Sequence, residues 1–115
     1  MTTLAAARSA LVTAVGASDS MADPPATYVY SQGSDMTRLG GTGVEWRFRV
    51  SCVVGYQGDD ATAEGALFSL LTSKLAILNP LAGWAIDRVS PSLVTDIGGG
   101  KYYSADIDVS TVVHL

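Results

Sequence analysis

Val44-Glu45-Trp46-Arg47-Phe48-Arg49-Val50-Ser51-Cys52-Val53-Val54-Gly55-Tyr56 decides the fold, because its side chains alternate with a period of two. Val44, Trp46, Phe48, Val50, Cys52, Val54 and Tyr56 fall on one face of an extended chain, and Glu45, Arg47, Arg49 and Ser51 on the other. That pattern predicts an antiparallel strand with one face on a core.

Working outward, Ala61–Leu78 reads as a helix: Leu67, Leu70, Leu71, Lys74, Leu75 and Leu78 trace one broad side, widened by Phe68 and Ile77. Asp60 is the expected N-cap, with Asp59 and Glu64 favourable near the positive helix end, and Asn79-Pro80 stops the helix. Upstream, Leu4, Ala7, Leu11, Ala14 and Val15 recur at helical spacing. Thr2 or Thr3 caps this first helix, and Gly16 supplies a left-handed stop. Polar residues 17–25 end in Pro24-Pro25, and Ala26–Ser31 has the Thr, Tyr and Val content of a strand.

Downstream, Trp84–Val89 and Leu93–Ile97 read as one bent strand interrupted around Ser90-Pro91-Ser92. Gly98-Gly99-Gly100-Lys101 reads as a turn. A last strand, Tyr102–Val113, places Tyr103, Ala105, Ile107, Val109, Thr111 and Val113 on the core side, with Asp106 and Asp108 outward. If the long strand and the last strand lie side by side, Arg47 and Arg49 face Asp106 and Asp108 across the sheet. The alternative is that these charges meet a neighbouring subunit.

Composition bounds the function. At 115 residues the chain is expected to be one domain, residues 1–115, with a single core. Charged residues make up only 16% against 48% hydrophobic, so part of the surface is expected to be covered by a partner. The formal charge of −4 argues against a nucleic-acid binder, which needs clustered Lys and Arg. One cysteine excludes an internal disulfide. The apolar start has only Arg8 as a positive charge and fits a signal peptide poorly, and no stretch is expected to span a membrane.

Catalytic chemistry is not expected. The only histidine, His114, reads as a frayed terminal side chain, and Cys52 as a buried structural thiol rather than its nucleophilic partner. One Cys and one His make no zinc site, and Asp59/Asp60 and Asp106/Asp108 fit no calcium loop. Gly40-Gly41-Thr42-Gly43 lacks the Lys-Ser/Thr ending of a phosphate loop. No enzyme activity, cofactor or metal is expected.

The order α-β-β-α-β-β, filling the chain, resembles that of the tail-terminator proteins of long-tailed bacteriophages. In that resemblance Leu4–Val15 is the helix ahead of the sheet, Val44–Tyr56 with Trp46, Arg47 and Phe48 the long second strand, residues 60–78 the helix laid across it, and Tyr102–Val113 the closing strand. The resemblance implies an α+β fold, with two helices on one face of a mainly antiparallel four-stranded sheet. It also implies a ring, usually of six copies, that caps the head-proximal end of the tail tube and ends its polymerisation. The partners would then be other copies of the chain, the tail tube protein and the head connector, with genomic DNA passing through the lumen unread. The site would be the neck of the virion, reached after synthesis in the bacterial cytoplasm.

Candidate contact residues follow from this. The loop 32–42, with Met36, Arg38 and Leu39, is a candidate contact with tube or connector. Arg47, Arg49, Asp106 and Asp108 are interface candidates if the sheet leaves them unsatisfied. Trp84 is either an interface anchor or part of the core. The competing readings are another neck or tube subunit, or a small ligand-binding module with a pocket lined by Trp46, Phe48, Tyr56 or Trp84.

Overall fold

A computed structural model describes residues 3–17, 25–34, 43–55, 60–90, 93–97 and 100–114. The elements are helix α1 (Leu4–Val15), strands β1 (Ala26–Gly33) and β2 (Gly43–Gly55), helix α2 (Asp60–Leu78), and strands β3 (Trp84–Val89), β4 (Leu93–Ile97) and β5 (Gly100–His114). All strand pairings are antiparallel: β1 with β2, β2 with β5, and both β3 and β4 with β5.

β3 and β4 share one lane. β4 pairs with the first part of β5, Gly100–Ser104, and β3 with the later part, Ile107–Thr111. Between them Ser90 bridges to β5: its N–H donates to the Asp106 carbonyl at 2.8 Å, and its hydroxyl accepts from the Asp106 N–H at 2.8 Å. The sheet therefore has four lanes in the order β1, β2, β5, β3/β4, giving the expected α+β fold and the interrupted strand.

The long pairing of β2 with β5 is the spine. It runs unbroken from Gly43 opposite His114 to Gly55 opposite Tyr102. At about 3.3 Å per residue, a 15-residue strand is about 50 Å long, and the molecule measures 52 × 26 × 23 Å. Gly100 and Lys101 belong to β5, opposite Ile97 and Asp96, so the strands run further into the glycine-rich segment than the expected turn.

One core cluster unites Ala7, Leu11 and Val15 of α1 with Ala63, Leu67, Leu71 and Leu78 of α2. The sheet supplies Phe48, Val50, Cys52 and Val54 of β2 and Tyr103, Ala105, Ile107 and Val109 of β5 to the same cluster. Register explains this, because Phe48, Val50, Cys52 and Val54 lie directly opposite Val109, Ile107, Ala105 and Tyr103. Trp46 and Trp84 pack against the cluster from its margin.

The first helix is capped as expected. Thr3 is extended, and its hydroxyl accepts from the Ala6 N–H at 3.2 Å. Gly16 stops the helix in the left-handed region, φ 66°, and the Ala17 N–H returns to the Val12 carbonyl at 3.0 Å. Asp60 is the first residue of α2 rather than the residue before it; its side chain and the expected contribution of Asp59 lie outside the description.

One expectation is corrected here. Ala61–Leu78 has a mean hydropathy of 1.3 over 18 residues and is, by length and composition, long and apolar enough to cross a membrane. Its apolarity has a local role, since Ala63, Leu67, Leu71 and Leu78 are inserted into the sheet-backed core.

Candidate assembly surfaces

Alternation divides the sheet into a face that joins the core and an open face. On the open face, Tyr30, Arg49, Asp108 and Arg88 occupy one row across β1, β2, β5 and β3. Arg49 Nε donates to Asp108 Oδ1 at 2.8 Å and Nη2 to Oδ2 at 3.4 Å, a two-pronged contact that suits the flat guanidinium. Asp106 Oδ2 lies 3.8 Å from Nε on the diagonal. The hydrogen bond to Asp108 holds the Arg49 pKa above its ordinary value.

The predicted charge pairing therefore forms for Arg49 within the chain. Arg47 lies opposite Ser110, whose hydroxyl donates to Asp87 Oδ1 at 3.2 Å. Register places Arg47 one pair beyond Asp108, because the antiparallel partner of Arg49 is Asp108 and each two-residue step along β2 steps back two along β5.

Trp84 follows the core reading. Its ring meets Phe48 edge-on, with centroids 5.7 Å apart and planes at 60°. Trp46 donates its indole N–H to the Ser31 hydroxyl at 2.9 Å. Phe48 is fully buried, and Trp46 and Trp84 pack at the core margin around it. Met36, Arg38 and Leu39 lie outside the described residues, as does Tyr56.

Cys52 and His114 cannot act together. Cys52 pairs with Ala105, and His114 lies nine residues further along β5, about 30 Å away at strand rise. His114 is the last paired residue of β5, opposite Gly43, which corrects the expectation of a frayed end. Burial pushes the Cys52 thiol up to about 11, and it is fully enclosed. Among the described residues no group of three or more His, Cys, Asp or Glu is placed to hold a metal ion.

Two features of the surface were not read from the sequence. Apart from Phe68, the exposed positions described on the helices are small or hydroxyl-bearing, such as Ala5, Ala6, Ser9 and Ala10 on α1 and Gly65, Ser69, Thr72 and Ala76 on α2, with Arg8 the only charge among them. Among the described residues, the sheet is paired on one side only at β1 and at β3, its two edges. β1 carries the exposed Tyr30, and β3 the exposed Val89. The helical spacing of Phe68 beside Leu67 and Leu71 hid its exposure, since a wide apolar stripe does not say where the core ends. Edge status depends on strand order, which periodicity alone does not encode. Compared with known proteins, the chain matches no family model and no curated protein.

Proposed function

We propose that this chain is a structural subunit of the tail-terminator kind, which closes with other copies into a ring, usually of six, at the head-proximal end of a bacteriophage tail tube. The observation that carries the reading is the arrangement of the whole chain: a capped helix, a long antiparallel ribbon and a second helix, in the order α-β-β-α-β-β. Such a ring stops tube growth by covering its terminal contacts and offers a different surface to the head connector. The charge-poor helical surface, with Phe68 exposed on it, supports an assembly role, because weakly charged surface with an exposed aromatic is commonly covered by a partner. A net charge of −4 suits a passage through which DNA slides without being held.

Electron microscopy of the purified protein tests the reading. Closed rings with a central hole wide enough for duplex DNA, which bind one end of assembled tail tubes, are expected. Long tubes would transfer the chain to the tube-subunit reading, and single-chain particles that leave tube ends uncapped would overturn both.

A further inference from the structure

The ring proposed above needs two different patches on each copy, since only head-to-tail contacts close a ring. Resting on that reading, we propose that the two patches are the sheet edges, each paired on one side only among the described residues, with β1 of one copy pairing antiparallel along β3 of the next. Strand direction makes the junction natural. β1 opposes β2, β2 opposes β5 and β5 opposes β3, so β1 and β3 run in opposite directions. Copies set side by side by a ring rotation thus continue the alternation across their boundary, with ladder hydrogen bonds in the antiparallel pattern.

The β1 edge points the same way. Sheet proteins that stay single guard their edges with charge, proline or distortion. The eight residues of β1, Ala-Thr-Tyr-Val-Tyr-Ser-Gln-Gly, carry no charge, and pairing from Ala26 to Ser31 is regular. β3 is six residues long and carries the exposed pair Asp87 and Arg88, with one irregularity between Ile86 and Arg88, so the uncharged partner in the junction is β1. Large apolar residues are exposed at four described positions, and two of them sit on these strands: Tyr30, 51% exposed, on β1 and Val89, 41% exposed, on β3. Tyr30 lies on the open face, opposite Arg49, and Val89 on the other face, opposite Ile107, so a continued sheet would cover part of each on its own face. The other two, Phe68 and Val112, lie on α2 and β5.

Cysteine cross-linking in the full chain tests the edge pairing. Tyr30 and Ala85 both lie on the open sheet face, opposite Arg49 and Ser110 respectively, and both are exposed. Native Cys52 is enclosed and supplies only the background of the wild-type control. Tyr30→Cys and Ala85→Cys, co-expressed and treated with a flexible bismaleimide, are expected to give cross-linked dimers, whereas neither variant alone does. Dimers from Tyr30→Cys alone would overturn the proposal in favour of β1 pairing with itself. Absence of cross-linking in variants that keep the wild-type ring mass would overturn the edge pairing and leave the ring standing. A wild-type chain that is monomeric at all concentrations would remove both.

A charge placed on the edge gives an independent reading by sedimentation. Tyr30→Lys is expected to reduce the ring to single chains with an unchanged melting curve, while Phe68→Lys on α2 keeps the ring. A folded Tyr30→Lys protein at full ring mass would contradict the edge pairing.

Discussion

Cys52 shows how burial at one position sets a pH response. Desolvation raises its thiol from the ordinary value of 9.0 to about 11. Below pH 9 the folded and unfolded chains both hold the proton, and the contribution to stability is complete. Above it the unfolded thiol ionises first, so stability falls until the folded thiol also ionises near pH 11. Two pKa units correspond to about 3 kcal/mol at about 1.4 kcal/mol each. Chemical denaturation at pH 8 and pH 10.5 is therefore expected to show a steeper loss for wild type than for Cys52→Ala; equal losses would contradict the assignment. Arg49 makes a second prediction at this scale. Its contact with Asp108 is partly exposed, so a double-mutant cycle with Arg49→Met and Asp108→Asn should return a coupling of roughly 0.2–1 kcal/mol in urea unfolding. A coupling near zero would show that the pair sets register without stabilising the fold.

Among the elements, the joint between the helices matters most. Lys74 of α2 donates from Nζ to the carbonyl of Val15, the last residue of α1, at 2.7 Å. A cation at a helix C-terminus both satisfies an orphan carbonyl and opposes the negative end of the dipole. Lys74→Met should cost about 1 kcal/mol and raise amide exchange in α1 more than in β2 or β5. Thr3→Ala, which removes the N-cap at the other end, should cost a similar amount, about 1 kcal/mol. Exchange that rises uniformly in the Lys74→Met protein would deny the local role.

The same joint shows where sequence reading stops. Helix limits, strand faces and the pairing of Arg49 with an aspartate were legible, because period-two and helical spacing act within one element and register needs only neighbouring strands. Lys74 was legible only as a member of the broad α2 side. Its partner is 59 residues away, and only packing brings them together. Arg47 and Arg49 share a face, but only the register of the whole of β2 and β5 tells that Asp108 lies directly opposite Arg49 and Ser110 opposite Arg47. Trp84 was balanced between core and interface until its position opposite Thr111, beside Phe48, placed it at the core margin.

For the whole molecule, elongation follows from the long β2–β5 ribbon, and the exposed helical positions and the β1 edge carry little charge. An elongated subunit with two unlike edges and a charge-poor helical layer is suited to stand beside copies of itself. The central claim is that it does so in a closed ring, and solution mass tests it most directly. Sedimentation velocity across a concentration series, with and without magnesium, should show a species of six chains that persists on dilution. A monomer or dimer at every concentration would contradict the claim.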